Sequence, residues 1–248
     1  MIEPASSVAT FQTAHAAVRE RMDAACSRAG RRPADVTLVA VSKTVGAERL
    51  RAAVAAGLTI LGENRVQEGA DKRPRVDGAT WHLVGPLQSN KARRALETFD
   101  MIQTIDRLEL GERLDRLAEE VRPGVRVPVL VQVNVDADPA KAGVQPTDAA
   151  ALVDGLLGLP RLDVRGLMTI GRFGVTEVES RATFSALREL GMRLRQASGL
   201  GPDLSMGMSD DFEIAVEEGS TLVRVGRALF GERPHQHGDG TPSHHANA

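Results

Sequence analysis

Short apolar runs alternate with amphipathic stretches along nearly the whole chain. The runs are rich in β-branched residues, which suit a pleated surface, whereas the stretches between them repeat apolar residues at the helical period. The pattern predicts an opening helix over residues 7–30, with Val18, Met22 and Ala25 on one stripe, Gly30 as its stop and Pro33 beyond it. Strands are predicted over 36–44, 58–61, 80–84, 101–105, 125–135, 164–170, 203–206 and 221–225. Helices separate them over 47–56, 64–73, 89–98, 108–121, 147–157, 177–198 and 210–218, and a short one starts near Gly226.

Strict alternation of strand and helix implies parallel strands joined by right-handed crossovers. Eight such units in 248 residues predict an α/β fold, a single closed (β/α)8 TIM barrel preceded by one extra N-terminal helix. A doubly wound open sheet is the alternative. The barrel is expected to take up residues 1–234 as one domain. The stretch 235–248, rich in histidine, glycine and small polar residues, is expected to be a disordered tail.

Composition narrows the class without naming a chemistry. Charged residues at 26% and hydrophobic residues at 42% are ordinary for a globular protein, and a net charge of -2 gives no reason to expect nucleic acid or an anionic membrane as partner. There is no apolar run of membrane-spanning length, and no basic segment followed by an apolar core at the N-terminus. Cys26 is the only cysteine, so an internal disulfide is excluded and the cytoplasm is the expected location. Two biases matter more. Only Lys43, Lys72, Lys91 and Lys141 among the 31 basic residues are lysines, and there is no tyrosine. Lys43 ends a buried-type strand, whereas the other three lie in polar, helix-like surroundings and are expected at the surface.

In a barrel, chemistry sits on the loops after the carboxyl ends of the strands. Lys43 stands at such an end, where an amine desolvated by apolar walls can lose its proton and attack an aldehyde; the plainer reading is a lysine that points into water. Asn64, after the second strand, either caps the next helix or faces the mouth. His82 alternates with Trp81 and Leu83, so it points away from them and is either structural or laid against a planar ligand. Ser209 and Asp210 are candidate caps for the helix that follows them. Arg224, Gly226 and Arg227 end the last strand and open the short helix, the place where barrels often bind phosphate on backbone N–H groups. A lysine after strand one and a phosphate cradle after strands seven and eight suit a phosphorylated aldehyde, and pyridoxal 5'-phosphate (PLP) is the candidate.

The segments Val-Ser-Lys43-Thr, Gly-Glu-Asn64-Arg-Val-Gln-Glu, Trp-His82-Leu-Val-Gly-Pro-Leu-Gln-Ser-Asn-Lys91, Gly-Leu-Met168-Thr and Leu-Ser-Met-Gly-Met-Ser209-Asp-Asp resemble the YggS/PROSC family of pyridoxal phosphate homeostasis proteins. The resemblance runs from about residue 36 to 232. It implies a barrel like the N-terminal domain of alanine racemase, with PLP held as a Schiff base on Lys43. It also implies phosphate contacts from Ser209 and the Gly226–Arg227 backbone, Arg224 facing the pyridine nitrogen, and Asn64, His82 and Met168 as further cofactor-site residues. Arg227 departs from the family pattern, which carries threonine there, so a hydroxyl contact to phosphate is lost.

An arginine beside the pyridine nitrogen disfavours its protonation and weakens the cofactor as an electron sink. Racemases of this type use a tyrosine from a second domain as the opposing base; this chain has no tyrosine and its sequence stops soon after the barrel. The expected function is therefore binding and delivery of PLP, with PLP-dependent apoenzymes as recipients, little or no turnover, no resident metal, and a monomer or weak homodimer. An amino-acid racemase or related Schiff-base enzyme is the alternative, and a sugar-phosphate barrel enzyme using a lysine Schiff base a third reading.

Overall fold

In the computed structural model, which describes residues 7–172 and 174–231, each predicted apolar run forms a strand of one sheet. The strands are β1 (Thr37–Val41), β2 (Ile60–Glu63), β3 (Thr80–Leu83), β4 (Met101–Ile105), β5 (Val127–Gln132), β6 (Leu162–Met168), β7 (Asp203–Ser205) and β8 (Leu222–Val225). All pair in parallel with their sequence neighbours, and β8 returns to β1, so the sheet closes into a barrel in chain order. The helices are α1 (Val8–Arg28), α2 (Ala47–Ala55), α3 (Val66–Lys72), α4 (Ala92–Thr98), α5 (Leu108–Val121), α6 (Ala149–Leu157), α7 (Glu177–Ser198), α8 (Phe212–Glu217) and α9 (Arg227–Phe230). A closed sheet has no open edge to protect, which removes the alternative of a doubly wound open sheet. No helix among the described residues is long and apolar enough to cross a membrane. The expected tail, 235–248, lies outside the described residues.

Strand periodicity separates two apolar layers. Leu38, Ala40, Leu61, Trp81, Leu83, Val129, Val131, Leu167 and Val223 face outward and pack with the helices in the larger core. Val39, Val84, Met101, Leu130, Met168 and Leu222 form a second, smaller cluster, with Val41, Ile60 and Ile170 against it. Their alternation with the outward set makes that cluster the barrel interior. On β1 the inward series is Val39 and Val41, and the next step of two is Lys43. On β8 it is Leu222, Arg224 and then Gly226.

Helix limits follow local chemistry where that chemistry is strong. The observed spans of α5 and α7 coincide with those predicted. In α7, Thr176 and Glu179 form a reciprocal capping box, and Gly199, at φ 74°, closes the other end. Two predicted strands are displaced. β2 begins and ends two residues later than the apolar run, because Gly62 and the buried Glu63 extend it. β6 begins and ends two residues earlier, since Leu162 is drawn into the core opposite Val127. The extra helix α1 packs over α2, α8 and α9, and the Phe11 ring meets Phe230 edge-on with centroids 5.7 Å apart.

Candidate functional site at the barrel mouth

Lys43 sits in a tight turn immediately after β1, where alternation from Val39 and Val41 places it on the inner side of the barrel wall. The turn is held from outside. The Ser42 carbonyl accepts from the Val45 N–H at 3.0 Å and from Lys72 Nζ at 2.9 Å. Thr44 adopts a left-handed backbone, φ 68°, which a threonine reaches at a cost of about 1–3 kcal/mol, and its N–H donates to Glu68 Oε1 at 2.5 Å. A strained residue fixed by a charged acceptor, next to a lysine at a barrel mouth, is the kind of local conflict that marks a functional turn.

A cavity of about 510 Å³ opens at this end of the barrel. It brings together Lys43, Asn64, Ser209, Arg224, Gly226 and Arg227, six of the eight residues singled out from the sequence. Asn64 does not cap α3, whose N-cap is Arg65, and neither Ser209 nor Asp210 caps α8, whose N-cap is Asp211. With those structural duties absent, Asn64 and Ser209 are left lining the cavity. Ser209 Oγ accepts the Gly226 N–H at 3.3 Å, which ties the loop after β7 to the start of α9. A Cβ at Gly226 would stand 3.2 Å from the Val41 carbonyl oxygen, so the bare backbone lets the β8 end lie against the β1 end. A Cβ at Gly85, after β3, would stand 2.2 Å from the Asn64 carbonyl oxygen, so glycine there is what lets the Asn64 backbone take its place.

Arg224 is the buried charge of the site. Its guanidinium donates to Ser205 Oγ at 2.6 Å and to the Thr169 carbonyl at 2.7 Å. Burial pulls it down to about 10, against the opposing charge of Asp211, so it stays cationic at neutral pH. No carboxylate among the described residues lies within ion-pairing distance of it. A buried cation with no carboxylate bonded to it among the described residues, beside a hydroxyl and the start of a helix, suits an anionic or lone-pair-bearing ligand. Arg227 behaves differently: its side chain is half exposed and ion-paired to Asp210 at the rim.

Two of the sequence candidates do not reach the cavity. His82 and Met168 point into the barrel interior, but each stands two residues before the cavity-lining residue on the same face, Val84 and Ile170 respectively. At about 3.3 Å of rise per strand residue they lie roughly 6–7 Å deeper. The His82 imidazole is 7% exposed and its Nδ1 accepts from Gln103 Nε2 at 2.9 Å. Burial pulls it down from 6.5 to about 4, with Asp100 raising and Arg165 lowering it further away. The unfolded chain therefore binds a proton between pH 6.5 and 4 that the folded chain does not. His82 contributes stability that is fully present above pH 6.5 and is lost as the pH falls toward 4, about 3 kcal/mol in all. Urea unfolding of the native chain and of His82→Gln should show this as a gap that narrows across the same window; curves of equal slope would mean the imidazole titrates normally.

Lys72 corrects the expectation that it lies at the surface. It is 8% exposed, and its ammonium bonds to the Ser42 carbonyl, to Glu63 Oε1 at 2.7 Å and to Glu68 Oε1 at 2.6 Å. Ser42 Oγ donates to the same Glu63 oxygen at 2.7 Å. Glu63 ends β2 facing outward, beneath the Lys43 turn. Lys141 is half-buried and bonds to the Ile170 carbonyl at 3.1 Å, whereas Lys91 is exposed as expected. Sequence reasoning also missed Arg49, whose Nη2 donates to the Phe230 carbonyl at 3.1 Å from the cavity wall, and it read Asp210, the partner of Arg227, only as a helix cap. An arginine on a polar helix of an arginine-rich chain carries no local signal of such a role.

The chain is a closed parallel barrel of the alanine-racemase type, with Lys43 past β1 and Ser209, Gly226 and Arg227 past β7 and β8 lining one cavity. The family model for the alanine racemase N-terminal domain matches residues 14–234. An alanine racemase of Clostridium difficile in complex with cycloserine superposes with a TM-score of 0.67 at 16% identity, over 82% of this chain and 56% of that one, which shows the shared fold. The pyridoxal phosphate homeostasis protein of Escherichia coli (strain K12) is 42% identical over 227 residues, 88% of this chain and 94% of its own length. PipY of Synechococcus elongatus, in a structure with PLP bound, is 42% identical with a TM-score of 0.76, covering 86% of this chain and 100% of that chain. The chain belongs to the pyridoxal phosphate homeostasis protein family.

Proposed function

We propose that this protein binds PLP in the barrel-mouth cavity, holds it through a Schiff base to Lys43, and serves intracellular PLP homeostasis by supplying the cofactor to PLP-dependent apoenzymes, with little or no turnover of its own. The observation that carries this reading is one cavity lined by Lys43 after β1, Ser209 after β7, and Gly226 and Arg227 after β8, with the buried Arg224 of β8 reaching it from below. These residues fit the group. Bound PLP supplies an aldehyde that condenses with a primary amine. The Ser209 hydroxyl and the Arg227 backbone N–H would bind its phosphate, joined by the Gly226 N–H where the phosphate takes it over from Ser209. Arg224, a donor only, would face the ring nitrogen and oppose its protonation. Asn64 would meet the ring from the β2 side, while His82 and Met168 support the floor beneath it.

The same lining favours a carrier over a racemase. A second acid–base group opposite Lys43 is needed for racemisation, and the chain has no tyrosine. His82 is below the cavity and held neutral, and Asp210 is engaged by Arg227. Mass spectrometry of the protein after PLP addition and borohydride reduction should find one modified residue, Lys43. Incubation of the loaded protein with alanine and other amino acids should leave their chirality unchanged. Turnover at about 1 s⁻¹ or faster, an ordinary enzymatic rate, would establish the racemase reading instead.

A further inference from the structure

From the cavity floor down, four buried polar side chains from four strands make one hydrogen-bonded line across the barrel interior. Arg224 of β8 donates to Ser205 Oγ of β7 at 2.6 Å, Ser205 donates to Gln103 Oε1 of β4 at 2.7 Å, and Gln103 Nε2 donates to His82 Nδ1 of β3 at 2.9 Å. Ser205 and Gln103 are fully buried, and Arg224 and His82 nearly so. Every direction in this line follows from its first member. A guanidinium can only donate, so Ser205 must accept from it and turn its single proton to the next group. Gln103 must then present its oxygen to Ser205 and its NH2 to His82. His82 is left to accept at Nδ1, which makes it the neutral Nε2–H tautomer.

We infer that His82, Gln103 and Ser205 are positioning residues for Arg224: a one-way relay, anchored on the far wall of the barrel, that fixes the orientation of the guanidinium at the cavity floor. This assigns His82 a role at a distance in place of contact with a ligand. The relay runs in one direction only. A proton on His82 Nδ1 would face the Gln103 NH2, donor against donor. Turning the Gln103 amide over to relieve this would present NH2 to Ser205 and leave the serine proton without its acceptor. Groups acting on the imidazole from beyond the line, Asp100 and Arg165, pull in opposite senses and do not choose the tautomer. The consequence for the ligand rests on the reading that PLP binds against Arg224.

The test has two arms. Side-chain nitrogen NMR of the full chain without added PLP should show His82 as a single Nε2–H tautomer. In Arg224→Met, and independently in Ser205→Ala, the constraint is lifted and the His82 resonances should move toward exchange between tautomers. Unchanged His82 resonances in whichever of these variants folds would overturn the relay. In the second arm, chains loaded with PLP and carrying the Lys43 adduct are compared by visible absorption. His82→Gln retains an acceptor for the Gln103 amide and should keep the native band and its pH titration. His82→Leu and Gln103→Leu should shift both. A band that stays fixed in the leucine variants while PLP is bound would overturn the positioning role. If the unsubstituted chain takes up no PLP, the proposed function fails, and the relay is decided by the NMR arm alone.

Discussion

Replacing Lys43 with alanine should remove the borohydride-trapped adduct completely and leave weaker, reversible PLP binding. The two halves of the site are built on different strands, which is why the effect divides. Lys43 belongs to the turn after β1, whereas Ser209, Gly226 and Arg227 belong to the loops after β7 and β8. Removing the amine leaves the Ser209–Gly226 hydrogen bond and the start of α9 as they are. Charge-assisted hydrogen bonds to a phosphate contribute about 1.5–3 kcal/mol each. A few of them support residual binding of roughly micromolar to millimolar strength, about −8 to −4 kcal/mol. Equilibrium dialysis gives the affinity and mass spectrometry the adduct. An adduct that persisted at a single other site in Lys43→Ala would show that another amine carries the cofactor.

Replacing Lys72 with methionine should cost about 3–5 kcal/mol of stability, the usual penalty for leaving a buried charge without its partner. Glu63 has no exposed surface, and its Oε2 already lacks a hydrogen-bond partner. Without the ammonium, Glu63 Oε1 keeps only the Ser42 hydroxyl. Glu68 would lose the same cation while still accepting the Thr44 N–H. A double variant, Lys72→Met with Glu63→Leu, removes both buried charges and should recover most of the loss. Chemical denaturation of the three chains reads this directly; a single variant within about 1 kcal/mol of the native chain would mean that Glu63 is protonated or otherwise compensated. Because Lys72 also holds the Ser42 carbonyl, slower adduct formation at Lys43 is expected in the single variant even where it stays folded.

Much of this architecture was legible residue by residue. The strand ending near Lys43, the limits of α5 and α7, and the alternation that turns His82 away from Trp81 are all consequences of side-chain period and capping, which act over a few neighbours. The candidate residues at the two ends of the chain were legible as well, because lysine, serine, glycine and arginine at strand ends are conspicuous chemistry. Their meeting was not visible in either segment alone. It required β8 to close on β1, with Val39 opposite Arg224.

Depth along the barrel axis escaped local reasoning. Periodicity tells which face a strand residue takes and says nothing of how far it lies from the mouth. Alternation turned His82 inward and the resemblance alone pointed to Met168, yet Val84 and Ile170 occupy the mouth layer above them. Partnership escaped it too. Lys72 reads as a solvent-facing residue of a polar helix, and Glu63 as the end of a strand; only the packing of α3 against the carboxyl ends of β1 and β2 makes them a buried pair. Hydrophobic period and turn chemistry thus set the strands, their alternation with helices and the inward face of Lys43, since they depend on neighbours a few residues apart. Closure of the sheet decided which distant residues share the cavity with Lys43, which candidates lie beneath it, and which charges hold its turn, since those depend on distances between strands that no local pattern contains.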